Sequence, residues 1–352
     1  MAPTSLRSLT LRALRAPITT TRPSCRFLTT RSSTALQTPP TARNHSTSSV
    51  SSDEVTHFTS LASSWWDPMG SSRILHLMNP LRHEFIASCL ADSPPPTSPE
   101  SSETSANLHY LDIGCGGGIF AESLARTIPL DPSAPAPTPT RAASMTAIDP
   151  TTSLIQVARE HARLDPLVDS HLRSGKFQYL NTTLEDVLAS TNPASSESAT
   201  PSSKPKHPQY DMVTLFEVLE HIDPTTTTPL AFLENCLRAL KPGGWLIGST
   251  ISRTVPSFIL NRVIAEAPWP FGVVPRGTHE WSKFVNPAEL HGWLQEGLMR
   301  TADSGVTRAG PSVLHDMRWK CVGAIYVPGL GWKMVPGSED WGNYFWAVQK
   351  GI

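Results

Sequence analysis

The sequence predicts an α/β fold, a mostly parallel, doubly wound sheet with helices on both faces and a helical extension in front of it. Three observations lead there. Residues Tyr110 to Phe120, Tyr-Leu-Asp-Ile-Gly-Cys-Gly-Gly-Gly-Ile-Phe, run as a buried strand into a glycine turn, then resume with helical spacing at Phe120, Leu124 and Ile128. From there to Thr250, short apolar runs alternate with helical patterns, the signature of a parallel sheet crossed by helices. Lys241-Pro242-Gly243-Gly244 closes the last of those helices with an unambiguous stop.

Taken in order, residues 1–50 hold seven arginines and no acid, with Leu6, Leu9, Leu11 and Leu14 beside Arg7, Arg12 and Arg15. That is the composition of a basic amphipathic mitochondrial transit peptide; a disordered tail is the other reading. Residues 51–352 read as one domain. Phe58, Leu61, Trp65 and Trp66 stand at near-helical spacing, and Asn79-Pro80 signals a helix start, so the spacing predicts a helix over Leu81–Leu90 with Arg82 in its first turn. Three Pro/Ser-rich stretches, at 91–107, 129–141 and 190–208, are too polar to pack and read as insertions between elements. Strands are expected at Met145–Ile148, Phe177–Leu180, Tyr210–Phe216 and Trp245–Thr250, and helices at Leu154–Leu164, Pro229–Leu240 and Pro287–Leu298. Cys321–Val327 and Tyr344–Val348 would close the sheet as an antiparallel pair. Residues 257–281 mix Phe258, Ile259, Leu260, Trp269 and Phe271 with Arg262 and Arg276, and suit either a lipid interface or a lid over the site. No run has the length of a bilayer span.

The net charge of −1 conceals an asymmetry: beyond residue 50 there are 22 basic and 30 acidic side chains, about −8. An acidic body is a poor match to a polyanion, which argues against a nucleic-acid partner. The five cysteines (Cys25, Cys89, Cys115, Cys236, Cys321) form no C-x-x-C pair and read as free thiols.

The glycine turn places a ligand directly on backbone. A dinucleotide fingerprint read from Gly114 would need glycine at position 119, where Ile119 stands. The pattern present is Asp112-x-Gly114-x-Gly116-x-Gly118, which resembles motif I of the class I S-adenosylmethionine-dependent methyltransferases. Asp149, at the end of the next strand, is placed to take ribose hydroxyls or to cap the following helix.

Further segments narrow the resemblance. Trp65-Trp66-Asp67-Pro68, Leu77-x-Asn79-Pro80-Leu81-Arg82, Glu217-x-x-Glu220-His221 and Gly277-Thr278-His279-Glu280-Trp281 are together similar to the ubiquinone biosynthesis O-methyltransferases, from about residue 55 to the end. The resemblance implies a Rossmann-like class I fold with a seven-stranded sheet and S-adenosylmethionine as cofactor. It implies methylation of ring hydroxyls on a 3,4-dihydroxy-5-polyprenylbenzoate and on a 3-demethylubiquinol. It further implies a peripheral enzyme on the matrix side of the mitochondrial inner membrane, within a multi-subunit biosynthetic complex. By position Arg82, Asp112, Gly114, Gly116, Asp149 and Phe216 match its cofactor contacts.

The donor arrives already activated, so the protein must align the acceptor oxygen and remove a phenolic proton of pKa about 10. Glu217, Glu220 and His221 stand at i, i+3 and i+4, which on a helix would share one face. Two carboxylates and an imidazole suit a divalent ion, and the resemblance supports magnesium there. The alternative is His221 as a general base without metal, with Glu217 beside it and His279 a further candidate. A non-catalytic cofactor-binding scaffold subunit is the competing class. A methyltransferase of protein or nucleic acid would want an Asn-Pro-Pro-Tyr-type motif where Phe216-Glu217-Val218 stands.

Overall fold

A computed structural model describes residues 49–70, 72–93, 107–131, 138–190, 208–260, 266, 280–303, 314, 316–327 and 329–351. Residues 1–48 of the stretch read as a transit peptide, the greater part of the three insertions, most of 257–281, and His279 lie outside the described residues.

Eight strands form one mixed sheet: β1 (Leu108–Ile113), β2 (Ala142–Asp149), β3 (Phe177–Asn181), β4 (Tyr210–Phe216), β5 (Leu240–Ile251), β6 (Arg318–Val327), β7 (Gly331–Val335) and β8 (Asn343–Gln349). Their order is β3-β2-β1-β4-β5-β8-β6-β7. The five strands from β3 to β5 are parallel. β8 inserts antiparallel between β5 and β6, and β7 folds back on β6 as an added edge strand. The sequence reading anticipated the antiparallel closure but counted seven strands. Gly331-Trp332-Lys333-Met334-Val335 is too short and too mixed in polarity to register as a strand by pattern, and pairing with β6 makes it one.

The described helices are α1 (Ser52–Leu61), α2 (Arg73–Ala91), α3 (Ile119–Ala125), α4 (Thr152–Ala162), α5 (Pro166–Ser174), α6 (Leu184–Ala189), α7 (Pro229–Ala239), α8 (Val255–Phe258) and α9 (Pro287–Asp303). Three show a clear local cause. Ser51 caps α1 by accepting from the Glu54 N–H at 3.2 Å, the first half of an S-x-x-E box, while the Glu54 carboxylate turns to other partners. Asp165 and Thr228 cap α5 and α7, each followed by proline at the first helical position.

One boundary departs from expectation. α2 begins at Arg73 and runs straight through Pro80 instead of starting there. Proline inside a helix forfeits a backbone bond and clashes with the preceding turn. Tertiary contacts hold the segment regardless: Asn79 Nδ2 donates to the Ile119 carbonyl at 3.0 Å, Trp332 Nε1 donates to the Ile74 carbonyl at 2.9 Å, and Met78, Phe85, Ile86 and Cys89 are almost fully buried. Arg82 therefore sits in the interior of a long helix, not in a first turn.

The sheet divides the core into two layers. On β1 and β4, Tyr110, Met212 and Phe216 face the layer shared with α2 and α3, while Leu111, Ile113, Val213 and Leu215 face the layer of α6, α7 and α9. Strands buried on both faces read as continuous apolar runs, which is why Tyr210–Phe216 was legible. Period two then decides a polar matter. Asp112 and Thr214 fall on the same face as Tyr110 and Met212, the face that α2 covers with Arg82.

Candidate active site

Chain order reverses across β1, with β2 on one side and β4 on the other, so the carboxyl ends of β1, β2 and β4 open at a topological switch point. The glycine turn leaves β1 there. Gly114, Gly116 and Gly118 all have positive φ (69°, 54° and 88°), which a side chain would resist. Gly117 is required for a different reason: a Cβ on it would lie 2.3 Å from Trp65 Cδ1. Trp65 thus lies flat on the turn, and Trp66 Nε1 donates to the Gly117 carbonyl at 2.8 Å while stacking on His161. The tryptophan pair and the glycines form one unit. Val218 closes against Gly114 and Tyr179 against Gly118.

Asp149 stitches this unit together. One carboxylate oxygen accepts from the Gly116 N–H at 3.0 Å, the other from the Thr151 N–H at 2.8 Å. The helix-cap reading is not met, because Thr151 is the N-cap of α4 and Asp149 bonds its N–H from outside the helix; each carboxylate oxygen keeps a lone pair for a further donor such as a hydroxyl. Burial pushes its pKa upward against those two bonds. Asp112, on the neighbouring strand end, accepts from Thr214 Oγ1 at 2.7 Å, and burial raises its pKa to about 7 despite that bond and the nearby Arg82 charge.

Arg82 is 3% exposed. Its Nη1 donates to Asn79 Oδ1 at 2.9 Å, and its guanidinium lies over the Phe216 ring at 5.1 Å. Phe216, at the end of β4, packs edge-on against Phe120. Among the described residues Arg82 makes no ion pair, and its buried Nε has no hydrogen-bond partner. Desolvation lowers its pKa to about 10, opposed by the Glu217 and Asp112 charges. A buried guanidinium left short of acceptors is the counterpart of a carboxylate.

The Glu217, Glu220 and His221 group is not what the spacing suggested. These residues share no helical face: Glu217 has φ 58°, and only Leu219–His221 forms a single 3₁₀ turn. Each side chain goes its own way. Glu217 accepts from Ser249 Oγ at 2.5 Å and from Asn343 Nδ2 at 2.9 Å. Glu220, 6% exposed, accepts from Thr250 Oγ1 at 2.8 Å, and burial, reinforced by the Glu217 charge, raises its pKa to about 7. His221 turns to Glu54 on α1, with Nδ1 at 3.2 Å from Oε2. No group of three or more His, Cys, Asp and Glu side chains able to hold a metal ion occurs among the described residues. The donors thus do not fit the magnesium expectation, because local backbone geometry and separate partners spread what sequence spacing had gathered.

Sequence reasoning missed Glu54, Lys283 and Thr214. Glu54 lies 167 residues from its partner, and only the Ser51-x-x-Glu54 cap was there to flag it. Lys283 Nζ donates to the other Glu54 oxygen at 3.0 Å. Burial works to raise the Glu54 pKa, but the bonds and charges of His221 and Lys283 prevail and bring it to about 2.

Residues 81–297 match the family model described as a methyltransferase domain. The chain is 32% identical to the mitochondrial ubiquinone biosynthesis O-methyltransferase of Candida albicans, over 86% of each chain. It is 33% identical to the Schizosaccharomyces pombe protein of the same name, over 88% of each. With the ubiquinone biosynthesis O-methyltransferase of Actinobacillus pleuropneumoniae it shares 32% identity over 71% of this chain and 86% of the relative. With a glycine turn at the sheet's switch point and near-full-length similarity to these proteins, the chain belongs to the ubiquinone biosynthesis O-methyltransferase family.

Proposed function

We propose that this chain transfers the methyl group of S-adenosylmethionine to ring hydroxyls of a polyprenylated dihydroxybenzoate and of a demethylubiquinol. The observation that carries the reading is Arg82: a buried guanidinium whose Nε lacks a hydrogen-bond partner among the described residues, on the helix that Asn79 ties to the end of the glycine turn. Arg82 takes the carboxylate of the cofactor's amino-acid end. Asp112 lies close by on the same face for its ammonium group, Asp149 accepts from the ribose hydroxyls, and Gly114 and Gly116 let the ligand approach the backbone. Phe216 forms part of the wall beneath Arg82.

The transfer is an in-line displacement in which the phenolic oxygen attacks the methyl carbon and the sulfonium leaves as a neutral thioether. The protein supplies alignment and takes the phenolic proton. His221 is the base. Its side chain is 24% exposed, and among the described residues its Nε2 has no hydrogen-bond partner. Glu217 fixes the strand ends on which the acceptor rests, through Ser249 and Asn343. No step passes through a metal.

Kinship with mitochondrial enzymes and the basic first 50 residues support a mitochondrial location. Among the described residues no helix is long and apolar enough to cross a membrane. Val255, Phe258, Ile259 and Trp281 are exposed on one side of the domain, with Phe258 edge-on to Trp281, and support peripheral contact with the matrix face of the inner membrane. Membership of a biosynthetic complex is the corresponding reading for partners.

The test is transfer of labelled methyl from S-adenosylmethionine to a short-chain dihydroxybenzoate, with and without magnesium. Transfer in both conditions is expected. Cofactor binding without transfer would leave a scaffold subunit, and an absolute requirement for magnesium would overturn the metal-free base.

A further inference from the structure

We infer that Trp66, His161 and Glu122 are positioning residues for the cofactor: a relay from a buried acid, through a stacked imidazole, to the indole that fixes the Gly117 carbonyl. The inference rests on the reading of the glycine turn as the cofactor's seat, and it gives the Trp66 side chain a task in the binding step.

Successive glycines lose more backbone freedom on being fixed than other residues, so the shape of this turn depends on what holds its polar groups. The Gly116 N–H goes to Asp149, the Gly118 N–H to the Cys115 carbonyl at 3.0 Å, and the Gly117 carbonyl to Trp66 Nε1 at 2.8 Å. The last of these partners comes from the N-terminal extension. Trp66 is itself held on two sides. His161 of α4 lies on its face, with centroids 3.4 Å apart and planes 5° from parallel, and His76 of α2 meets it edge-on at 4.9 Å. Because α2 also carries Arg82, the indole joins the two elements read as gripping the cofactor's amino-acid end.

His161 is held in turn. Its Nδ1 lies 2.7 Å from Glu122 Oε2, and since a carboxylate only accepts, the imidazole donates there. The Glu122 side chain has no exposed surface, and its other oxygen pairs with Arg126, which also binds Asp165 at 2.7 Å. A buried carboxylate met by two such donors is a firm anchor. Glu122 stands in the first turn of α3, the helix that starts where the glycine turn ends, so the contacts close a ring around the junction of turn and helix. That ring acts on the shape of the seat, and therefore on cofactor affinity.

Calorimetric titration of the full chain with S-adenosylhomocysteine tests this. Trp66→Phe keeps the ring and deletes the N–H; affinity should fall about threefold to tenfold, as the binding-competent turn loses the population that one hydrogen bond secures. KM for S-adenosylmethionine should rise with it, while kcat at saturation stays within about twofold. His161→Leu should lower affinity to a similar extent, and adding it to Trp66→Phe should cost nothing further, because His161 acts through that indole. His161→Gln, able to donate to Glu122 and to lie flat on the indole, should recover most of the loss. Lower denaturation midpoints with unchanged affinity, or additive losses in the double variant, would overturn the inference and make these residues merely structural. Where a variant fails to fold, the wild-type protein decides: the Trp66 indole N–H should exchange slowly with deuterium, and rapid exchange overturns the inference. If wild-type protein binds no S-adenosylhomocysteine, the cofactor reading itself has failed, and the two failures stay distinct.

Discussion

Replacing Arg82 with methionine separates what this residue costs the fold from what it gives the site. Burial brings the guanidinium from its usual 12.5 to about 10. At 1.36 kcal/mol per pH unit that is about 3 kcal/mol. Because the folded value is the lower one, the charged form is disfavoured in the native state, and the cost is fully present at neutral pH, below both values. Methionine fills similar volume without a charge and gives up the bonds to Asn79 and Leu75, each worth about 1 kcal/mol net. The apo-protein of Arg82→Met should therefore be as stable as wild type or about 1 kcal/mol more so. Cofactor binding should fall about 100-fold or more, since a charge-assisted bidentate contact is lost and a ligand carboxylate is buried unpaired. Urea denaturation of the apo-protein and calorimetric titration with S-adenosylhomocysteine measure the two quantities on the same samples. Loss of several kcal/mol of apo stability with unchanged affinity would show that Arg82 is structural, and the site assignment would fall with it.

Glu220 predicts a pH dependence. Its folded pKa of about 7 lies above the usual 4.5, so the folded state holds the proton more tightly, and the stability this gives is present below pH 4.5 and lost as pH rises through 7. Glu220→Gln, neutral and nearly isosteric, should flatten the fall of apo stability between pH 5 and 8 in urea titrations, and an unchanged slope would place the titration elsewhere. Gly117→Ala drives a methyl into Trp65 without backbone strain, so it should cost about 1–3 kcal/mol, and Trp65→Leu in the same chain should recover part of it in denaturation midpoints. Gly118→Ala meets Tyr179 and also a φ of 88°, so shortening Tyr179 to leucine should rescue it less well than Trp65→Leu rescues Gly117→Ala.

Much of this protein could be read without its structure. Tyr210–Phe216 matches its predicted strand residue for residue, and the Phe120–Leu124–Ile128 spacing marks a helix that carries Phe120 and Leu124 and ends at Ala125, before Ile128, with all three side chains buried. Such features depend on local periodicity and on turn chemistry, which are written into neighbouring residues. The glycine turn was legible for the same reason, because only glycine tolerates its backbone there. What sequence alone could not decide was which side chains meet. Spacing gathered Glu217, Glu220 and His221 on an imagined helix, whereas a left-handed residue at Glu217 and bonds to Ser249, Asn343, Thr250 and Glu54 send each to a different partner. Pro80 argued for a helix start, and contacts to Ile119 and Trp332 override it. Local sequence determines the elements and the glycine turn; long-range packing of α1 and α2 onto the sheet decides that Arg82 is buried and that Glu54 holds the imidazole, because those contacts exist only once distant segments are brought together.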